Sequence, residues 1–185
     1  MPRILSDESL DTLFRNAAAQ PVWLDRPVGD TLLRALWELV KLGPVSDRSC
    51  SARILFLRSA EAKERLALAL PPGERAALRT ASIAAILASD LGAAADGALA
   101  GDEARPRALA VRDGALRGGY LILAARALGL DCRPIWDFRP TAIESTFFAQ
   151  GTAVATFLCC LGYGDDAQLE PNRPRSGGDG ACQIL

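Results

Sequence analysis

From Leu116 to Leu130 the chain reads LRGGYLILAARALGL, apolar at nearly every position. Its two charges, Arg117 and Arg126, project to opposite sides of a helix that turns about 100° per residue. The pattern predicts a long helix within Val111–Phe138 that has no polar face and is buried all round. That helix is too short and too interrupted by charge to span a bilayer. Gly118 and Gly119 each lower helix propensity by about 1 kcal/mol, which predicts a close approach of another backbone there. Gly129 ends the helix, and Asp131-Cys132-Arg133-Pro134 turns the chain into a short extended run. Two covers are open for such an element: a second copy of the protein, or the chain's own sheet and helices.

Amphipathic and apolar segments flank it on both sides. Ser6–Ala19 reads as a helix, with Leu10, Leu13, Phe14 and Ala17 at helical spacing and Asp7 and Glu8 in its first turn. Asp30 is placed to cap Thr31–Leu42, whose Leu32, Leu33, Leu36, Leu39 and Val40 form one stripe. Pro44–Ala52 is a polar loop, and Ile54–Leu57 is an apolar run of buried-strand type. Ser59 is placed to cap a helix over Ala60–Leu70, with Glu61 and Arg65 as an i,i+4 pair, and Pro71-Pro72-Gly73 stops it. After a short charged helix-like segment, Ser82–Ser89 reads as a second buried strand. Asp90–Arg107, rich in Ala, Gly and Asp, is a flexible loop or a frayed helix. Pro140 opens a helix to Phe148, and Ala153–Tyr163 is the last strong strand.

Helices dominate, with three or four short strands between them. The expected fold class is α+β: a small mixed or antiparallel sheet flanked by helices. The expected organisation is one domain over residues 1–166 and a Pro/Gly-rich tail over residues 167–185, lying on the domain or on a partner subunit. No strand–Gly-rich turn–helix occurs, so there is no dinucleotide fingerprint and no phosphate loop.

Composition narrows the chemistry. The chain has 185 residues, a net charge of −1 and no histidine. The missing histidine removes Ser-His-Asp and Cys-His catalysis and His-ligated metal sites. The charge balance argues against a nucleic-acid partner. The five cysteines make no CxxC pair and read as reduced thiols of a cytoplasmic protein, and no signal peptide opens the chain. Cys182-Gln183-Ile184-Leu185 formally fits a prenylation box, but the Arg- and Ala-rich, bacterial-looking composition speaks against that use.

Four stretches, in consistent order, resemble the FMN-dependent nitroreductase family, in particular the short branch that includes the malonic semialdehyde reductases. They are Trp23–Val28 (WLDRPV), Val40–Arg53 (VKLGPVSDRSCSAR), Tyr120–Asp131 (YLILAARALGLD) and Leu161–Asp165 (LGYGD). The resemblance implies a homodimer with the long helix at its centre and one FMN in each of two interfacial clefts. It also implies a cytoplasmic NAD(P)H-dependent reductase of small aldehydes, enones or nitro compounds, in which the flavin carries the hydride.

By the same resemblance, Ser46 in the loop after Gly43-Pro44, Pro134 after the long helix, and Arg173 or Arg175 late in the chain should hold the cofactor; Arg48, which stands where the family has an asparagine, is a fifth candidate, as a phosphate grip from a new direction. Each also has a plain alternative, as loop, turn or solvated surface residue. Beside Arg48 and an Asp90–Arg107 segment shorter than the family's, three stretches depart from the family pattern. Ala17–Pro21 stands where the family has a basic segment, Asp113-Gly114-Ala115 where it has amides and hydroxyls, and Ile135-Trp136-Asp137 where it has a glycine. The departures motivate a second reading, a flavin-free structural, regulatory or partner subunit. A third is a cleft reassigned to another anion or aromatic through Arg48, Arg133 and Trp136.

Overall fold

The computed structural model describes residues 4–44, 51–91, 104–149, 151, 153–169 and 183–184. Four antiparallel strands form its sheet: β1 (Ser51–Leu57), β2 (Ile83–Asp90), β3 (Asp131–Ile135) and β4 (Ala153–Gly162), in the order β1-β2-β4-β3. Side chains alternate along β2, with Ile83, Ala85 and Leu87 on one face and Ala84, Ile86 and Ala88 on the other. Both faces are covered, which is why β2 and β4 read as continuous apolar runs rather than alternating ones.

One face carries α2 (Asp30–Val40) and α5 (Ala104–Ala127). Their Leu33, Leu36, Val40, Leu121 and Ala125 pack with Ile83, Leu87, Phe157, Cys159 and Leu161. The other face carries α3 (Ala60–Ala67), α4 (Pro72–Thr80) and α6 (Pro140–Phe147). There Leu66, Leu78 and Ile143 pack with Leu57, Ile86, Leu158 and Cys160. Ser59 caps α3 as its sequence position predicts, its side chain accepting from the Ala62 N–H at 3.1 Å. Asp30 does not cap α2: the N-cap is Gly29, and the Asp30 carboxylate is paired with Arg58.

The N-terminal helix is shorter than its periodicity suggests. It comprises α1 (Asp7–Leu10) and a π turn over Asp11–Arg15, and it ends before Asn16. Arg15 pairs back onto Asp7 and Asp11, and Arg126 of α5 donates to the Leu13 carbonyl at 3.0 Å. Phe14 is exposed, so this segment lies on the surface of a single chain.

The long helix is displaced toward the N-terminus of the expected range and is not buried all round. α5 turns one face to the sheet through Ala110, Asp113, Gly114, Arg117, Gly118 and Leu121. Away from the sheet it exposes Val111 on one flank and Leu116 and Tyr120 on the other. The glycines also do something other than expected. A Cβ on Gly118 would lie 2.7 Å from the Phe157 ring, and one on Gly114 would lie 2.2 Å from the Thr156 Cβ. Gly119 faces open space within the chain. The close approach is therefore between α5 and β4 of the same chain. It follows from an irregular register between β2 and β4 beside Thr156, whose hydroxyl donates to the Leu87 carbonyl at 3.2 Å.

Candidate functional site

The four sequence stretches that carry the family resemblance meet one another. Trp23 bridges to Gly164, and the Leu24 N–H donates to the Tyr163 carbonyl at 2.8 Å. The guanidinium of Arg26 lies 3.7 Å from the centre of the Tyr163 ring. A Cβ on Gly43 would sit 3.2 Å from the Tyr120 ring, so the start of the Pro44 loop is fixed against α5. Gly129 adopts φ +74° at the end of that helix, a left-handed conformation that glycine takes without steric strain.

One edge of the sheet is β3. Ala17–Gln20 runs along it: Ala19 bridges to Cys132 in parallel, and the Gln20 N–H donates to the Cys132 carbonyl at 3.2 Å. The Gln20 side chain is buried against Gly164, where any Cβ would fall 2.0 Å from its amide carbon. Its Oε1 is buried with no hydrogen-bond partner among the described residues. Asp131 braces the same corner by accepting from the Gly164 N–H at 2.8 Å.

At the far end of β3 the chain leaves the ladder after Ile135. Pro134 lies within β3 opposite Cys159, half-buried, so it is a strand residue rather than a turn residue. An edge strand accepts a proline because its missing N–H need not face a neighbour. Trp136 follows with 77% of its surface exposed. Its ring meets Phe157 edge-on, centroids 5.8 Å apart at 80°. Phe157 is thus held between Gly118 on one side and the indole on the other.

Charge near this edge is already engaged. Arg15 is tied to Asp7 and Asp11, whose hydrogen bonds raise its pKa. Arg126 holds the Leu13 carbonyl, and Arg133 pairs with Glu74 at 3.2 Å on the opposite face of the sheet. Asp113 is fully buried in α5, 3.8 Å from the Arg112 Nε, and Arg117 beside it is 5% exposed. The Cys159 and Cys160 thiols are inert packing groups: burial pushes Cys160 up to about 12 and Cys159 well above its ordinary value.

Of the five residues expected to hold a cofactor, only Pro134 can be placed. Ser46, Arg48, Arg173 and Arg175 lie outside the described residues, as do Cys50 and Cys182. To the ring half of a flavin the described surface offers the exposed Trp136, set edge-on to Phe157 at the end of an edge strand. It does not fit the phosphate half. Ala17–Gln20 brings no cation, and the three nearby arginines are committed elsewhere. Among the described residues no group of three or more His, Cys, Asp or Glu is placed to hold a metal, and no helix is long and apolar enough to cross a membrane.

No family model matches the chain. Individual proteins do. A Ralstonia nicotianae protein assigned by name to the NADH dehydrogenase/NAD(P)H nitroreductases is 40% identical over 192 residues, covering 98% of both chains. A Burkholderia lata protein of the same naming is 42% identical, covering 97% of this chain and 98% of its own. Among solved structures, a nitroreductase of Bacillus subtilis superposes with a TM-score of 0.82 at 18% identity, over 97% of this chain and 100% of that one. One from Exiguobacterium sibiricum, solved in complex with FMN, gives 0.74 at 19%, over 95% of this chain and 96% of that one. The fold is therefore the nitroreductase fold. The chain belongs to the nitroreductase family, and its sequence relatives lie in the group named NADH dehydrogenase/NAD(P)H nitroreductases.

Proposed function

We propose that the protein is an FMN-dependent NAD(P)H oxidoreductase that reduces a small aldehyde, enone or nitro compound as a cytoplasmic homodimer. The observation that carries this reading is 40% identity over 98% of both chains to a relative named as an NADH dehydrogenase/NAD(P)H nitroreductase. A bound flavin would supply the hydride-transfer chemistry between NAD(P)H and the acceptor. The chain's own residues bind and orient it. Pro134 and the exposed Trp136 shape the ring side, and Ser46 supplies a hydroxyl in the loop fixed at Gly43. Arg48 and Arg173 or Arg175 supply the phosphate contacts that the Ala17–Gln20 edge lacks, with guanidinium groups suited to bidentate phosphate binding. The tail from residue 167 carries the latter two onto its own domain or onto the partner subunit.

The dimer is supported by the apolar face of α5. Leu116 and Tyr120, four positions apart on one side of the helix, stay exposed in one chain. Contiguous apolar patches left exposed on a chain mark contact surfaces. The direct test of activity is to supply FMN, NADH or NADPH and an enone or nitroarene, and follow nucleotide oxidation. Oxidation that requires both flavin and acceptor supports the reading; none with any acceptor class sinks it. A second reading, a flavin-free structural or partner subunit, is favoured by one observation: the cations near the β3 edge among the described residues are all engaged in other contacts.

A further inference from the structure

A second recess lies away from the Trp136 end of β3, where β1 ends, β2 begins and β4 has just finished. It encloses about 440 Å³ between the Leu24–Val28 segment, Arg58, Lys63 of α3 and the Arg79–Ser82 turn that leads into β2. That volume lies within the range of small-molecule sites. Four of its lining residues are cations, Arg26, Arg58, Lys63 and Arg79, against one carboxylate, Asp25. Glu64 holds Arg79 through its Nε and Nη2, and Asp30 holds Arg58. Counting those two acids as well still leaves a surplus of one positive charge.

Lys63 is the most telling of these residues, at 8% exposure. Its ammonium donates to the carbonyls of Arg79 at 2.9 Å and Ala81 at 2.8 Å, so it closes the end of α4. An ammonium has three protons, and two are accounted for. Burial lowers its pKa, as expected for a charge with no carboxylate beside it. Arg26 stacks on Tyr163, which leaves its N–H groups without a hydrogen bond to any described residue. The Nη1 of Arg79 is likewise not used by Glu64.

We infer that this recess is an anion site that takes the phosphate of a small organic phosphate, gripped by Lys63, Arg26 and Arg79. A phosphate oxygen would supply the acceptor that the third Lys63 proton lacks and would offset the charge surplus. Guanidinium groups with free edges add directional contacts. This site is separate from the proposed flavin cleft, and none of the residues assigned to the flavin lines it.

The test is calorimetric titration of the full-length protein with adenosine 5′-monophosphate, inorganic phosphate and adenosine at fixed ionic strength. Because Lys63 also caps α4, the primary variants are Arg26→Ala and Arg79→Ala, both at exposed guanidiniums. Their unliganded melting temperatures are recorded alongside. The expected result is saturable binding of both phosphates, none of adenosine, and roughly tenfold weaker binding in each variant, the loss typical of one hydrogen bond to a charged group. Three results would overturn the inference: no saturable binding at millimolar phosphate, equal affinity for adenosine, or unchanged affinity in both variants. Phosphate binding that instead disappears in an Arg173→Ala/Arg175→Ala double variant belongs to the flavin cleft and equally overturns it.

Discussion

Gly114 and Gly118 set the distance between α5 and β4 by having nothing to place there. A methyl at Gly114 meets the branched Thr156 side chain, whose hydroxyl is fixed on Leu87. A methyl at Gly118 meets the Phe157 ring, backed by Trp136. Helix propensity favours alanine by about 1 kcal/mol, whereas overpacking costs about 1–3 kcal/mol. Overpacking wins at both sites, most clearly at Gly114. Chemical denaturation of Gly114→Ala and Gly118→Ala should show both destabilised, Gly114→Ala by the larger amount. A stabilised Gly114→Ala would mean that β4 yields easily.

Two surface carboxylates give the stability a defined acid limb. Hydrogen bonds from Arg58 to Asp30 and from Arg79 to Glu64 hold both carboxyls below the ordinary range. A carboxyl with a depressed folded pKa contributes stability above its unfolded pKa, about 4, and loses it as pH falls through the folded value. Glu64→Gln should therefore separate from the parent protein in urea midpoint at pH near 7 and converge on it below pH of about 3. A gap that widens in acid would reverse the sign of this argument. Lys63 works the other way. Its lowered pKa means that the unfolded chain holds the proton more tightly, so folding gains stability as pH rises toward about 10.4, the ordinary lysine value.

At the level of elements, the apolar period found the helices and strands but not what covered them. Leu116–Leu130 reads as buried all round because its polar residues are few; in the fold, Asp113 and Arg117 turn inward and Val111, Leu116 and Tyr120 turn out. Periodicity weighs residue types and cannot see that a buried Asp and Arg have company. Ser59 was legible as a cap because a serine before an apolar helix has one strong use. Asp30 was not, because Arg58, 28 positions away, draws its carboxylate off the helix end. Pro134 looked like a turn residue and is a strand residue, since only the sheet order reveals that β3 is an edge. The exposed α5 face carries a direct prediction. Leu116→Glu with Tyr120→Glu places two charges on that face without touching the sheet, and sedimentation should show dimer converted to monomer. A parent protein that sediments as a monomer at micromolar concentration would remove α5 as an interface.

For the whole molecule, the family was legible in four short stretches, and the structure shows why those four: they pair with each other, WLDRPV against LGYGD and KLGP against the Tyr120 end of α5. These are contacts that hold the scaffold. The cofactor contacts were less legible, because they fall on loops where one substitution exchanges a donor for an apolar group without disturbing the core. Ala17–Gln20 is the clearest case, folded onto β3 by its backbone while its side chains bring no charge. Trp136, an exposed aromatic at that edge, is visible as a candidate in the sequence and acquires its place only once Phe157 and Gly118 are set around it. The account rests on whether this altered cleft still holds its flavin. Titrating the purified protein with FMN and following the quenching of flavin fluorescence measures that directly. A functional cleft saturates at micromolar FMN, about 8 kcal/mol of binding, and more weakly in the Arg173→Ala/Arg175→Ala double variant. Fluorescence that stays unquenched well beyond that concentration would contradict it.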